Sequence, residues 1–421
     1  MKGIDMKKNR ELTLPAGESV VEALRYAGNL EIASVTVPEG VEILGAKAFS
    51  QCRELRTLQL PGSLTHIEMK CFEGCPLEDI FYRGSANQWM QLEISPQGSG
   101  SIITARKHFS EGGPAGPVVC RENRGEELLE RIRSLLVAGG DGRLHIVAPG
   151  LCVEGVLTKP GDMTLLIFPE GATMLIDTGH AANLGRVMEF LRGIGLTHLD
   201  YMAFSHADAD HVSNAQAIGD YLYSEQGGVI RNFWWTGQRF GEIVPAFIDF
   251  LRARDVQLDL RVLAGRRFWI QGVEVQILGP TEEELRLDPR DQDIRNSQSM
   301  MMRFAFGAAS YLTCGDLYAA QEAAAVKRCG QALRADISKT NHHGCFTSNS
   351  SIWLDAVGGR LMFSSGNDNG STLLARELHS RGVTYLSTGC QGTLLISASA
   401  EGAYETDTQY NGELRCIQRI N

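Results

Sequence analysis

A 23-residue step runs through the first third of the chain and limits what that third can become. Pro15, Pro38 and Pro61 keep the step, and so do Phe49 with Phe72 and Cys52 with Cys75. In phase, the units read LTLPAGESVVEALRYAGNLEIA, SVTVPEGVEILGAKAFSQCRELR and TLQLPGSLTHIEMKCFEGCPLED. Each opens on a short alternating strand such as Val35-Thr36-Val37 and turns at Pro and Gly, and the second and third set Phe49 and Phe72 before Cys52 and Cys75. A unit this short cannot bury its own apolar edge, so successive units must stack. Phe49, Phe72, Cys52 and Cys75 are therefore expected in the core of the stack.

The pattern xIxLPxxVxxIgxxAFxxC is that of the BspA-type leucine-rich repeats, and residues from about 10 to 95 resemble that family. Phe81-Tyr82-Arg83-Gly84-Ser85-Ala86-Asn87-Gln88-Trp89 is similar to the tail that closes such arrays. The resemblance implies a short leucine-rich repeat solenoid that offers a surface to a protein partner and carries no chemistry.

With 421 residues, 43% of them hydrophobic, the chain is too long for one ordinary domain and too apolar for disorder. Gly and Pro interrupt every pattern at Glu111-Gly112-Gly113-Pro114-Ala115-Gly116-Pro117. The expected organisation is a repeat segment over 1–110, a linker and helix over 111–142, and a second domain over 143–421. In the helix Leu128, Leu129, Ile132, Leu135 and Leu136 form one stripe, with acids in the first turn and Gly139-Gly140 past the end. Either domain could receive that stripe. A formal charge of -10 argues against broad electrostatic capture of nucleic acid, although bound metal ions supply local positive charge that composition does not record. No stretch approaches the roughly 18 apolar residues of a membrane span. The start, MKGIDMKKNRELTLPAG, lacks the apolar core of a secretory signal, and ten scattered cysteines suit reduced thiols. A cytoplasmic location is expected, with no membrane partner.

From about Arg143, apolar strands alternate with amphipathic helices, the pattern of an α/β layered domain. Helices are expected at Leu184–Ile194, Pro245–Arg254 and Leu317–Cys329, a hairpin turn at Gln271-Gly272, and a capping box at Thr281 and Glu284. The chemistry lies where strands end. Met174-Leu175-Ile176 runs into Asp177-Thr178-Gly179, Tyr201-Met202-Ala203-Phe204 into Ser205-His206-Ala207-Asp208-Ala209-Asp210-His211, Tyr311-Leu312-Thr313 into Cys314-Gly315-Asp316, and Asp336-Ile337-Ser338 toward Asn341-His342-His343-Gly344. In α/β folds such loops converge on one crevice. Five of the ten histidines, His180, His206, His211, His342 and His343, fall in these loops. Imidazoles and carboxylates packed into 206–211 with only alanines between them point to a metal. Asp316 would also suit as a helix cap, and His180 is as much a bystander as a contact. Trp234-Trp235 suits core packing better than a cleft mouth.

The series DTG, HxDxDH, GD and HHG, in that order and at these intervals, is similar to the motifs of the metallo-β-lactamase superfamily, whose usual core is HxHxDH. The form with Asp208 resembles the soluble hydrolase domain of ComEC-type competence proteins. Pro160-Gly161-Asp162, Asn296-Ser297-Gln298-Ser299, Thr347-Ser348 and Ser364-Ser365-Gly366-Asn367 add to a likeness that spans about residues 143 to 400. It implies an αββα sandwich with one or two divalent ions, zinc or manganese, at the sheet edge. It further implies that His206 and Asp208 serve a first metal and Asp210 and His211 a second, that Asp316 bridges, and that His342 or His343 completes the set. Asp177 would orient ligands from behind. Three features depart from the pattern: residues 212–315 contain no histidine to serve the first metal, Cys345 replaces a serine, and Gly366-Asn367-Asp368-Asn369-Gly370-Ser371 replaces a GHP turn.

The expected function is a metal-dependent hydrolase, in which a metal-activated water attacks and Asp210 or Asp316 takes its proton; the resemblance to the competence branch implies a phosphodiesterase or nuclease type. Net acidity favours a small or short phosphodiester, in nucleic acid or a nucleotide, over a grip on duplex DNA. Asn296 and Ser299 are candidate positioning donors and Lys339 a candidate for facing a substrate phosphate. Hydrolysis of a thioester or lactam would use the same ions in a different pocket. The alternative is a non-catalytic binding or scaffold protein, with a degenerate hydrolase fold and repeats that recognise a partner.

Overall fold

The alternating segments of the repeats pair edge to edge in a computed structural model, which describes residues 10–15, 17–84, 89, 92–95, 101–102, 105–109, 124–151, 161–345, 347–365 and 371–410. The linker at 111–117, Pro160, residues 85–88 of the tail and the segment 366–370 lie outside the described residues. Among the described residues, those up to 109 form one compact unit and those from 124 to 410 another.

In the first unit, Glu11–Thr13, Ser34–Thr36, Thr57–Leu60, Asp79–Tyr82 and Arg106–Phe109 make a parallel sheet in that order. Val20–Val21, Ile43–Leu44, His66–Ile67 and Glu93–Ile94 make a second parallel sheet. The sequence step becomes strand register, since Leu12 pairs with Val35, Val35 with Leu58 and Leu58 with Ile80, all buried. Behind them Tyr26, Phe49 and Phe72 stack in a column with ring centroids 5.1 and 5.4 Å apart. Cys52 Sγ donates to Tyr26 O at 3.1 Å and Cys75 Sγ to Phe49 O at 3.0 Å, so each thiol ties its repeat to the preceding one. All four expected core residues are buried. Arg106–Phe109 extends the first sheet beyond the point where the repeat pattern fades, because RKHF carries no alternating apolar signal.

In the second unit, Leu144–Ala148, Thr164–Ile167, Ala309–Thr313, Leu361–Ser364 and Leu394–Ala398 are buried along their whole length, the mark of sheets covered on both faces. One sheet has eight strands, in the order Gln257–Asp259, Ile230–Trp234, Leu199–Ala203, Thr173–Ile176, Thr164–Ile167, Leu144–Ala148, Leu394–Ala398 and Tyr404–Thr408. The other has seven, in the order Arg267–Ile270, Val273–Gly279, Met301–Phe306, Ala309–Thr313, Ile337–Lys339, Leu361–Ser364 and Thr384–Ser387. Between them Ile146, Phe168, Met174 and Ile176 meet Val275, Met302, Phe304, Tyr311 and Phe363. Helices Gly125–Ala138, Leu184–Ile194 and Ile243–Arg252 bury Ile132, Val187, Leu191, Phe247 and Leu251 on the outer face of the first sheet. Helices Ala319–Cys329, Ser351–Val357 and Ser371–Ser380 bury Ala325, Trp353, Leu354 and Leu378 over the second. The order of layers is helix, sheet, sheet, helix, as expected. The helix whose docking the sequence left open belongs to this unit.

The helix expected at Pro245–Arg254 spans Ile243–Arg252, with Pro245 tolerated in its first turn. The one expected at Leu317–Cys329 starts at Ala319, which leaves Asp316 free of a capping role. Gln271 and Gly272 both take positive φ, 46° and 79°, and turn the hairpin. Thr281 N donates to Glu284 Oε2 at 2.6 Å and Glu284 N to Thr281 Oγ1 at 3.2 Å. That capping box closes one turn of 3-10 helix, Glu284–Arg286. No helix among the described residues is long and apolar enough to cross a membrane.

Thr173–Ile176, Leu199–Ala203 and Ile230–Trp234 run parallel, as do Ala309–Thr313, Ile337–Lys339 and Leu361–Ser364. Within each sheet their carboxyl ends therefore face one edge, where the loops bearing Asp177, 205–211, Asp316, 341–344 and Ser365 gather.

Candidate metal centre

Each loop is shaped before any ligand is considered. Asp177 follows its strand with φ at 61° and uses both oxygens. Its Oδ1 accepts from Ser205 N at 2.7 Å, and its Oδ2 accepts from Ser205 Oγ at 2.6 Å and from His211 Nδ1 at 2.8 Å. Gly161 has φ at 73°, and a Cβ there would stand 2.1 Å from Asp210 O, so only glycine lets the chain pass and deliver Asp162. Gly315 is constrained in the same way: φ is 57° and a Cβ would meet Ser299 Oγ at 2.7 Å. His342 and His343 take consecutive left-handed conformations, φ 47° and 55°, which are uncommon for histidine and are held here by side-chain bonds. His342 Nδ1 lies 2.8 Å from Thr347 Oγ1, and His343 Nδ1 donates to Ser365 O at 3.0 Å.

With their Nδ1 atoms engaged, His211 and His343 turn Nε2 toward a common point. His211 Nε2 lies 3.3 Å from Asp316 Oδ2, and His343 Nε2 lies 3.4 Å from Asp316 Oδ2 and 3.3 Å from Asp210 Oδ2. Neither Nε2 makes a hydrogen bond of acceptable geometry, and Asp316 Oδ1 is equally unbonded, although all are buried. Donors held about 2.1 Å from one zinc-sized ion in tetrahedral array stand roughly 3.4 Å apart. These separations therefore suit shared coordination better than direct hydrogen bonds.

Asp162, His211, Asp316 and His343 also offer ligand atoms that all lie within 4.8 Å of one another. Of the two carboxylates that could complete the set, Asp210 is the better placed. Asp162 meets His343 on the Nδ1 side, at 3.1 Å, and is already paired with Lys339 Nζ and Ser365 Oγ. Asp210 faces Nε2, the nitrogen that also faces Asp316. Asp162 thus stands behind His343 as Asp177 stands behind His211, an arrangement that fixes ring orientation and strengthens the ligand.

Electrostatics agree with this division. Burial opposes the charge on His211, but Asp316 and Asp177 outweigh it, and the imidazole sits well above its ordinary pKa. Burial is likewise overcome at His343 by Asp316 and Asp162. Asp316, pushed up by burial, is drawn well below the usual carboxylate range by His343 and His211. Burial also raises Asp210, but the close approach of His343 and the charge of His211 carry it down. With both imidazoles neutral, as ligands are, four buried carboxylates, Asp162, Asp177, Asp210 and Asp316, stand in this cluster against one buried lysine, Lys339. That excess of negative charge favours a cation.

The other expected residues fall into different places. His206 is fully buried with Nε2 unbonded, 3.8 Å from Asp208 Oδ2. Asp208 pairs with Arg295. His342 stands at the margin, its Nε2 3.8 Å from Asp316 Oδ2 and its ring against Tyr318. Lys339 does not reach a cleft surface: it is 3% exposed, held by Asp162 and donating to Thr340 O at 3.2 Å. Ser299 Oγ accepts from Asp316 N at 3.3 Å, and Asn296 is fully buried beside the Tyr318 hydroxyl. His180 Nδ1 accepts from Ala182 N and caps a turn. Trp234 and Trp235 are core residues. Sequence reasoning singled out neither Asp162 nor Arg295 as a site residue. The only local sign of Asp162 is the Pro-Gly turn before it.

Residues 159–357 match the family model of the Metallo-beta-lactamase superfamily, and residues 20–91 match that of the BspA type Leucine rich repeat region, in six copies. The chain therefore contains a metallo-β-lactamase domain, with the hydrolase fold of that superfamily, behind a BspA-type repeat region. The competence protein ComA of Neisseria gonorrhoeae is 28% identical over 247 residues, which are 57% of this chain and 31% of ComA. The chain thus spans less than a third of that relative. Among solved structures, the metallo-β-lactamase fold protein YhfI from Bacillus subtilis is similar at 11% identity over 63% of this chain and all of YhfI, with a TM-score of 0.37. CmlA, a diiron β-hydroxylase from Streptomyces venezuelae, is similar at 11% identity over 64% of this chain and 54% of its own, also with a TM-score of 0.37.

Proposed function

We propose that the metallo-β-lactamase domain is a metal-dependent phosphodiesterase acting on a small or short substrate, a nucleotide or a nucleic-acid end. The observation that carries the reading is the convergence of His211 Nε2, His343 Nε2 and Asp316 Oδ2 at ligand spacing, with Asp210 Oδ2 3.3 Å from His343 Nε2. Two imidazoles and two carboxylates suit zinc or manganese. When bound, such an ion supplies Lewis acidity, drawing electron density from a phosphoryl oxygen and making nearby water a stronger acid. Asp316 Oδ1, buried and unbonded, would take the proton, with the Asp210 carboxylate as the other acceptor. Asp177 and Asp162 keep the two rings from turning. The phosphodiester follows from the resemblance of the HxDxDH core to ComEC-type competence proteins, and the chain's charge of -10 favours a short substrate. The repeat unit, which holds none of these ligands, is assigned a binding role toward a protein partner.

The test is cleavage of a bis-aryl phosphodiester by the purified full chain, with added manganese or zinc and with chelator. Chelation is expected to abolish turnover and metal to restore it, and Asp210→Ala is expected to lower the rate by about 10²–10⁴-fold. The lack of any histidine in 212–315 favours a second reading, a scaffold that has lost turnover. No bound metal, and no turnover that Asp210→Ala changes, would establish it.

A further inference from the structure

The position that a first metal would take is built differently from the rest of the site. His206 offers a buried, unbonded Nε2, but the next carboxylate in the motif is not available to share an ion with it. Asp208 Oδ1 accepts from Arg295 Nε, and its Oδ2 lies 3.4 Å from Arg295 Nη2. Both side chains are nearly buried, 13% and 12% exposed. A guanidinium that meets a carboxylate through two nitrogens at low exposure is a persistent partner, unlike a solvated ion pair.

The rest of the surroundings fixes Arg295 in that place. Its Nη1 donates to Pro289 O at 3.0 Å, and its guanidinium carbon lies 4.0 Å from the centre of the Phe240 ring. Gln238 joins the two segments from below: its Oε1 accepts from Ala207 N at 2.7 Å and its Nε2 donates to Arg295 O at 2.7 Å. The loop bearing Asp208 and the helix Gln292–Ser297 bearing Arg295 are thus clamped together by a buried amide. No histidine between 212 and 315 stands ready as a replacement ligand.

We propose that this domain holds a single divalent cation, on Asp210, His211, Asp316 and His343, and that Arg295 supplies the second positive charge by occupying the carboxylate a second cation would need. The inference rests on the reading that the cluster binds a cation, and it adds a count and a cause. Arg295 then keeps Asp208 from acting as a ligand, and His206 alone is too few donors to hold an ion there.

The test is the number of manganese ions retained by the purified full chain after equilibration with excess Mn2+, read by elemental analysis and by the electron paramagnetic resonance of the frozen protein. The wild type is expected to hold one ion with a mononuclear signal. Arg295→Met, which keeps an apolar stem on Phe240 and removes the charge, is expected to raise the count to two with an exchange-coupled signal. Asp208→Asn is expected to leave one ion at unchanged affinity, and it decides the matter if Arg295→Met does not fold. Two ions in the wild type, a count that stays at one in folded Arg295→Met, or loss of the ion in Asp208→Asn would each overturn the proposal. Two ions would leave the metal reading of the cluster standing, whereas no ion at all would remove both.

Discussion

His211 is gripped on one nitrogen and presented on the other. Because Asp177 accepts from its Nδ1 at 2.8 Å, Asp177→Asn is expected to weaken metal binding by about 10–100-fold, measured by competition with a chromophoric chelator. Unchanged affinity would reduce Asp177 to its bonds with Ser205. Lys339 pairs with Asp162 in the interior, and burial, which would lower its pKa, is outweighed by Asp162 and Asp316. Lys339→Met leaves that carboxylate short of its cation and is expected to cost about 3–5 kcal/mol in urea unfolding of the metal-free protein. A loss near zero would mean that His343 and Ser365 suffice for Asp162. His206, Asp210, His211, Asp316 and the histidine pair were legible in the sequence because each follows an apolar strand within a few residues. Arg295 was not, because its partner Asp208 lies 87 residues away and an arginine in a polar stretch has no local mark. Lys339 was legible as unusual but not as buried, since its partner Asp162 lies in a loop that leads into a strand of the other sheet.

At the scale of single elements, the turn Asn341–Gly344 decides between two adjacent histidines that sequence could not order. Consecutive left-handed residues send the two rings apart: His343 reaches Asp210 and Asp316, while His342 reaches Thr347. Asparagine tolerates that backbone conformation. His342→Asn is therefore expected to keep the bound metal and His343→Asn to lose it, in the same elemental assay. The reverse result would reassign the ligand. The central strand Leu144–Ala148 carries a second titratable device, away from the site. His145 is fully buried, close to Ser397 Oγ and Asp141 Oδ1, and burial lowers its pKa despite Asp141. A histidine depressed in the fold binds fewer protons there than in the unfolded chain. Its share of stability is complete above the unfolded pKa of about 6.5 and is lost as pH falls below it. His145→Gln is expected to flatten the decline of Tm across that window, and an equal slope in wild type and variant would exclude the strand as its source. The repeat strands were readable because a fixed step sets register directly, whereas Arg106–Phe109 joins its sheet through backbone pairing that composition does not announce.

For the molecule as a whole, two architectures share one chain, and the proposed chemistry belongs to one of them. The repeat region holds its register through a column of rings and thiol bonds. The metallo-β-lactamase domain gathers strand ends from both of its sheets onto four buried donors. Net charge does not reveal such a centre, because the excess carboxylates that would hold the ion add to the overall acidity of -10. The most direct test is a crystal of the full chain equilibrated with manganese and examined by anomalous scattering. An ion within about 2.0–2.3 Å of His211 Nε2, His343 Nε2 and the Asp210 and Asp316 carboxylates is the predicted result. Manganese bound elsewhere, with those four side chains left to one another, would contradict it.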